Sequence, residues 1–231
     1  MDKNTSRDDQ IQHFSKLFRE HPDEPMAVSS ESAVHKQVRF DQLAKIYEAE
    51  QGPFSVHDVG MGMAHYWEYL QAHHPDLECS YSGTDVVPEY VEFCQRTYPD
   101  LTFYQRDLAE SPGKEKYDYV LLSGVFHQMR SSKRRDWEEF AYAIIENSFS
   151  MCNKGLAFNF ISPFVDFYQP DVYYCDLMKL LHAVRDRTSR FFEIKHNYAL
   201  FELTVFVYPE AVVRDAYPHP EMVKYFSSLD D

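Results

Sequence analysis

The sequence predicts an α/β protein with a doubly wound, mostly parallel sheet of seven strands, an antiparallel C-terminal hairpin and helices on both faces. Strand-like and helix-like segments alternate through residues 54–162. Two strand-like runs, 191–198 and 201–208, are separated by only two residues, and strands so close must pair antiparallel. Five of the seven glycines fall at or beside predicted strand ends, at positions 60, 62, 83, 124 and 155.

A chain of 231 residues is long enough for one large domain with a filled core. We assign residues 1–50 to an N-terminal helical cap, 51–209 to a Rossmann-like domain and 210–231 to a C-terminal tail. The formal net charge of −14 disfavours nucleic acid as a partner, because affinity for phosphates comes from clustered Lys and Arg. We expect a small-molecule partner, and the aromatic residues of the tail leave a homodimer open.

The four cysteines are widely spaced and form no C-x-x-C pair, and the chain begins MDKNTSRDDQ, without an apolar signal segment. These features predict a reduced, cytoplasmic protein. No apolar run approaches the roughly 20 residues that span a bilayer, so we expect no membrane insertion. We also predict no metal site.

Two helices are predicted ahead of the first strand, after about ten residues of predicted disorder. Apolar residues recur at helical spacing over 11–19 and again over 32–50, and the loop HPDEPMAVSS lies between them. Amphipathic helices in this position either cap a ligand pocket or cover a sheet face. Both interpretations stay open, although covering a sheet face is the more general behaviour.

The run FSVHDVGMG, residues 54–62, predicts a buried strand that ends in a tight turn and leads into a helix over 64–74. Gly60 and Gly62 have no Cβ, so a ligand can approach the backbone N–H groups at the helix start. His65 stands where the dinucleotide pattern has its third glycine, and no Walker A Gly-Lys-Ser/Thr follows. An ordinary strand-to-helix turn is the alternative.

A second strand is predicted in LECSYSGTD, residues 77–85, and it ends in an acid about twenty residues past the glycines. A carboxylate at the end of the second strand of a βαβ unit can accept hydrogen bonds from both ribose hydroxyls of a nucleoside. Asp85 is therefore the strongest candidate for a cofactor residue. Its alternative role is to cap the helix predicted over 88–98.

Three more parallel strands follow. The run LTFYQRD, 101–107, ends in an acid, and YDYVLLSG, 117–124, is nearly all apolar and ends in Ser-Gly. A long amphipathic helix over 135–151 precedes GLAFNFIS, 155–162. Ligands of such sheets bind beyond the carboxyl ends of the strands, so we expect the site at this edge.

A substrate-binding site is predicted beside the fourth and fifth strands. His127 lies three residues past Gly124 and is a candidate general base, with a pocket-wall or helix-capping role as the alternative. The run 158–174 is predicted to be a loop and combines seven aromatic residues with two aspartates. Such a loop suits an aromatic or cationic substrate, and a hydrophobic lid over the sheet is the alternative. The candidate substrate-binding residues here and in the hairpin are Asp166, Tyr168, Tyr173, Tyr174 and Tyr198.

Five of these motifs, in this order and spacing, resemble the class I S-adenosylmethionine-dependent methyltransferases over about residues 36–208. They are HDVGMG, GTDVVPEYVEFCQ, YQRDLAE, YDYVLLSGVFHQM and NKGLAFNFIS. A narrower resemblance to small uncharacterised bacterial-type members rests on RFDQL, VYYCD and HNYALFELTVFV. The resemblance implies a Rossmann-like fold and S-adenosylmethionine as the cofactor.

The resemblance also implies a role for each matching residue. Asp58, Gly60 and Gly62 would line the methionine part of the cofactor, and Asp85 would hold the ribose hydroxyls. These residues come from the ends of the first two strands, so they would form one rim.

At the adenine end, Val86 would pack on the base, and Asp107, with Leu108 beside it, would accept from the amino group. Ser123 would face the sulfonium. Arg39 could meet the methionine carboxylate, with a surface ion pair as the alternative.

The implied reaction is methyl transfer to a small-molecule acceptor by in-line displacement, with the nucleophile held about 3 Å from the methyl group. A cradle with acids and without Lys or Arg suits a sulfonium cation. The alternatives are an acceptor on protein or RNA, or a degenerate member that binds the cofactor without activity. Met61 and Met63 stand where the family has small residues and hint at the latter. An NAD-dependent reductase is disfavoured by His65.

Overall fold

The protein was analysed as a computed structural model that describes residues 3–22, 28 and 32–226. Its strands are β1 (Phe54–Val59), β2 (Cys79–Asp85), β3 (Thr102–Gln105), β4 (Tyr117–Leu122), β5 (Cys152–Ile161), β6 (Phe192–Lys195) and β7 (Glu202–Val207). They form one sheet in the order β3-β2-β1-β4-β5-β7-β6. The first five strands are parallel, and β7 pairs antiparallel with both β5 and β6. The predicted seven-stranded fold is confirmed.

The helices are α1 (Lys3–Glu20), α2 (Ala33–Ala44), α3 (His65–His73), α4 (Pro88–Thr97), α5 (Arg134–Ser150), α6 (Leu177–Arg187) and α7 (Glu210–Ala216). Short 3₁₀ turns follow α2 and α7, at Lys45–Tyr47 and Pro220–Tyr225. Helix α6 is an addition to the predicted elements. Helix α1 begins at Lys3, so the prediction of disorder up to about residue 10 was wrong. None of the helices in these ranges is long and apolar enough to cross a bilayer.

The sheet separates two apolar clusters, which bury its two faces. On one face α5 and α6 pack on the strands, with Trp137 fully buried against β4 and β5 side chains. On the other face α2, α3 and α4 contribute Leu43, Leu70 and Val91 to the second cluster. Helices therefore flank both faces, as a doubly wound sheet requires, and its carboxyl-terminal edge is left for a ligand.

Helix α1 crosses this edge. It packs against α4 on one face of the sheet and against α5 on the other. Ser15 donates to the carboxylate of Glu89 in α4, and Ser132, just before α5, donates to Ser6. Both predicted roles of the N-terminal helices are thus found, because α1 lies over the carboxyl edge while α2 covers the sheet face.

Candidate active site

A cavity of about 620 Å³ lies beyond the carboxyl ends of β1, β2 and β4. This volume is within the roughly 300–1,000 Å³ of ligand pockets, and the position between β1 and β4 is the switch point of the sheet. The predicted catalytic residue and all the predicted cofactor residues line the cavity. These are Arg39, Asp58, Gly60, Gly62, Asp85, Val86, Asp107, Leu108, Ser123 and His127.

The glycine loop requires glycine at both positions. Gly60 and Gly62 have φ angles of 71° and 55°, in the left-handed region that side chains disfavour. A Cβ on Gly60 would lie 2.6 Å from a methyl of Val125, and one on Gly62 would lie 2.8 Å from a methyl of Val28. Both positions therefore exclude a side chain, and the backbone of the loop lies on the cavity wall beside Val28 and Val125.

The two methionines of the loop pack against the protein. Gly83 of β2 makes room for Met61, because a Cβ there would lie 2.3 Å from the Met61 sulfur. Met63 is buried with Val87 and Tyr90. Both departures from the small residues of the family pattern are accommodated by neighbouring positions, so they leave the cradle open.

Asp85 links the glycine loop to the start of α4. One carboxylate oxygen accepts from the Gly62 N–H and the other from the Val87 N–H, each at 2.9 Å. The N-cap position of α4 belongs to Val87, so Asp85 is not the helix cap. Burial raises the pKa of Asp85 to about 6, although backbone N–H groups, including those of Val87 and Gly62, oppose the shift. Each oxygen keeps a second lone pair for a ligand hydroxyl.

Asp58 lies beside this loop and is almost fully buried. It accepts a hydrogen bond of 2.8 Å from the Tyr81 hydroxyl. Burial raises the pKa of Asp58 to about 7, the Tyr81 bond opposes the shift, and the charge of Asp85 adds to it. The carboxyl group therefore changes its protonation near neutral pH.

The replacement Asp58→Asn should raise the free energy of unfolding at pH 8 and leave it nearly unchanged at pH 4. The carboxyl loses its proton near pH 4 when unfolded but near pH 7 when folded, so the folded state binds more protons between these values. The wild-type protein therefore loses stability as the pH rises from about 4 to about 7, whereas the Asp58→Asn variant does not. A tenfold change in acidity corresponds to about 1.4 kcal/mol, so the gain is at most about 4 kcal/mol. Urea denaturation at both pH values measures it, and an equal difference at both would contradict the expectation.

Helix α1 closes the end of the cavity near Asp107. The Asp107 carboxylate accepts from the Ala109 N–H at 2.8 Å and lies 3.4 Å from a guanidinium nitrogen of Arg7. Arg7 also donates to Glu110 at 2.7 Å. Further along α1, Gln10 donates to a backbone carbonyl near His127, that of residue 128, at 2.9 Å. Sequence reasoning missed these α1 residues, because no local pattern shows which distant groups a helix will meet.

A polar network lies at the other end of the cavity. Arg39 donates to the two carboxylate oxygens of Glu202 at 2.9 and 2.5 Å, and the pair is largely buried. The Asn159 side-chain nitrogen contacts His127 Nε2 at 3.0 Å and Glu202 at 2.5 Å, and its oxygen accepts from Gly124 N–H at 2.8 Å. Burial opposes the charge of Glu202, but the neighbouring His127 and the contacts with Arg39 and Asn159 hold its pKa below the usual value.

Asn159 and Glu202 were also missed from the sequence, although a signal was present. Each is a polar residue within or at the end of an apolar strand, in FNF and in FELTVFV. A buried polar group must be hydrogen-bonded, so such positions indicate a network or a site. The alternative role of Arg39 as an ion-pair partner is found, but the pair is buried and one guanidinium nitrogen remains unpaired among the described residues.

The five predicted substrate-binding residues do not line the cavity. Tyr173 is buried and donates to Glu138, and Tyr198 bonds to the hydroxyl of Thr204. Asp166 and Tyr168 are exposed, and the Tyr174 hydroxyl accepts from a backbone N–H of the same loop. Much of the aromatic run thus contributes to the core and the surface, and Gln169 is its residue at the cavity.

Comparison with known proteins supports one family. Residues 56–146 match the family model described as a methyltransferase domain. A Mycobacterium tuberculosis protein, named "Putative methyltransferase Rv1506c", is 27% identical over 157 residues, which cover 67% of this chain and 93% of that protein.

Solved structures share the fold. The magnesium protoporphyrin IX methyltransferase of Synechocystis PCC 6803, with bound S-adenosylmethionine, gives a TM-score of 0.57 at 17% identity, over 89% of this chain and 97% of that one. The N-methyltransferase NodS of Bradyrhizobium japonicum, with bound S-adenosyl-L-homocysteine, gives 0.56 at 12% identity, over 85% and 96%. The comparisons thus indicate a methyltransferase domain over residues 56–146, and the solved structures share its Rossmann-like fold.

Proposed function

We propose that the protein transfers the methyl group of S-adenosylmethionine to a small-molecule acceptor by in-line displacement. The observation that carries the proposal is the bond between Asp85 and the Gly62 N–H at the rim of the cavity. It joins a carboxylate suited to ribose hydroxyls with a turn that leaves room for a methionine chain. A cavity bordered by Asp58 and Asp85 also suits the sulfonium cation better than it suits a phosphate.

In this proposal different residues of the rim bind different parts of the cofactor. Asp58 and the glycine loop hold the methionine part, and Asp85 accepts from the ribose hydroxyls. Ser123, after β4, faces the sulfonium. The guanidinium nitrogen of Arg39 that does not contact Glu202 is the donor for the methionine carboxylate.

At the other end, the adenine is held by three residues. Val86 packs on the base, and Asp107 with Leu108 meets its amino edge. The bound cofactor supplies an activated methyl group, so these residues only need to orient it toward the acceptor.

The position of α1 favours a small acceptor over a protein or RNA. This helix crosses the carboxyl edge of the sheet, and Gln10 and Phe14 line the cavity from above. Its contacts to both sides, through Ser15 and Ser6, leave little width for a polymer. The net charge of −14 adds repulsion against RNA.

Calorimetric titration of the full chain tests the cofactor assignment. We expect S-adenosylmethionine and S-adenosylhomocysteine to bind at one site, and NAD not to bind, since position 65 lacks the third glycine. Binding of NAD alone, or of none of the three, would contradict the proposal. A protein that binds both sulfur compounds but methylates no small molecule would point to a larger acceptor or to an inactive member.

A further inference from the structure

The orientation of the Asn159 side chain is fixed by its neighbours. The Gly124 N–H can only donate, so the atom it meets at 2.8 Å must be the amide oxygen. The amide nitrogen then faces His127 Nε2 at 3.0 Å and a carboxylate oxygen of Glu202 at 2.5 Å. Because a carboxylate only accepts, the two amide hydrogens go one to each partner.

This arrangement fixes the tautomer of His127. Its Nε2 accepts from Asn159, so this nitrogen carries the lone pair and the ring proton is on Nδ1. Burial lowers the pKa of His127 to about 4, with the nearby positive charge of Arg39 adding to the shift and Glu202 opposing it. The ring is therefore neutral at neutral pH, with Nε2 bonded to Asn159 and the ring proton on Nδ1.

The Nδ1 atom of His127 lies near Gly124, and both residues line the cavity. A Cβ built on Gly124 would lie 3.8 Å from Nδ1 and 3.4 Å from the unpaired guanidinium nitrogen of Arg39. Within residues 3–22, 28 and 32–226, no group accepts a hydrogen bond from Nδ1. A donor with no acceptor in the folded chain is thus available for a ligand.

On the basis of the methyl transfer proposed above, we infer that the acceptor is a carboxylic acid, bound as its carboxylate, to which His127 donates a hydrogen bond from Nδ1. An ammonium ion, an alcohol or a thiol must lose a proton to be methylated, and His127 cannot take that proton while Asn159 occupies Nε2. A carboxylate is already ionised at neutral pH, so its methylation needs no base.

The step is balanced without a base. A carboxylate oxygen forms the new bond to the methyl carbon, the bond from that carbon to sulfur breaks, and its electron pair neutralises the sulfonium. The products are a methyl ester and S-adenosylhomocysteine, and no proton moves. In this inference Asn159 is a positioning residue, because it acts on the acceptor only through the His127 tautomer.

Nitrogen-15 NMR of the full chain with labelled histidine tests the tautomer. The His127 signals are assigned by their loss in His127→Asn, and we expect an Nδ1–H, Nε2-unprotonated ring. The Asn159→Ser variant should lose this fixed tautomer, which a merely structural role of Asn159 would leave unchanged. An Nε2–H ring in the wild-type protein would overturn the inference.

Methyl transfer to matched small molecules tests the acceptor class. The probes are acetate, octanoate, benzoate and cinnamate, each against its amide and the corresponding primary amine, with products identified by mass spectrometry. We expect methyl esters only. His127→Ala should lower the rate about 10- to 100-fold, because one hydrogen bond to a charged group is lost. His127→Asn keeps an amide donor and should therefore keep most of the rate.

Two outcomes would overturn the inference without touching the proposed function. One is preferential methylation of an amine, and the other is the absence of any ester although calorimetry shows S-adenosylmethionine bound. An equal loss of methyl-transfer rate in His127→Ala and His127→Asn would instead favour a general-base role for His127. Failure of the wild-type protein to bind the cofactor would contradict the proposed function itself. The failure of the inference and the failure of the proposed function are therefore distinguishable.

Discussion

Replacing Asp85 with Asn should lower the affinity for S-adenosylmethionine at least about 100-fold while the fold is retained. The carboxylate bonds the N–H groups of Gly62 and Val87 and, in the proposed complex, accepts from two ribose hydroxyls. An amide nitrogen cannot accept, so one of the two backbone N–H groups loses its partner. Hydrogen bonds to charged groups contribute about 1.5–3 kcal/mol each, and two of them correspond to roughly 100-fold or more.

Calorimetric titration measures the affinity, and Asp100→Asn is the matched control. Asp100 is an exposed carboxylate in the turn that follows α4, in the same βα unit as Asp85. The control should bind the cofactor like the wild-type protein, and circular dichroism should show the same fold for both variants. Unchanged affinity in Asp85→Asn would refute the ribose assignment.

Removing the guanidinium in Arg39→Ala should lower the free energy of unfolding by about 3–5 kcal/mol. Glu202 is 4% exposed and holds its charge next to Arg39 and Asn159. Without Arg39 the carboxylate stays buried with one neutral partner, and an uncompensated buried charge is costly. Urea denaturation at neutral pH measures the loss.

A second variant and a surface control separate charge from packing. Arg39→Met combined with Glu202→Gln removes both charges, so we expect it to recover much of the stability lost in Arg39→Ala. Arg185 forms an exposed pair with Asp186, and Arg185→Ala should leave stability unchanged. If Arg39→Ala cost no more than this control, the buried pair would not contribute to stability.

The sheet could be predicted from the sequence because its signals are local. Apolar runs of strand length, glycines at their ends and acids at fixed spacing all lie within a few residues of the features they specify, and the rim with Asp58, Gly62 and Asp85 follows from them. Helix α6 lacked such a signal, because it follows an aromatic run that was assigned to a loop.

The network around Asn159 depends on contacts that are distant in sequence. Asn159 pairs with Thr204 because β7 lies antiparallel beside β5, and this register brings Glu202 to the same end of the sheet. Arg39 arrives from a helix more than a hundred residues earlier. Sequence periodicity assigns each residue to its element, but the meeting of three elements is set by tertiary packing. For the same reason, the aromatic run could not be divided into core, surface and cavity residues.

The bond from Asp85 to the Gly62 N–H has a consequence for the entropy of binding. The loop is held in its left-handed conformation before any ligand binds, by the carboxylate that we propose also accepts from the ribose hydroxyls. Little backbone freedom is therefore left to be lost on association, and a preorganised cradle gives tighter binding for the same contacts.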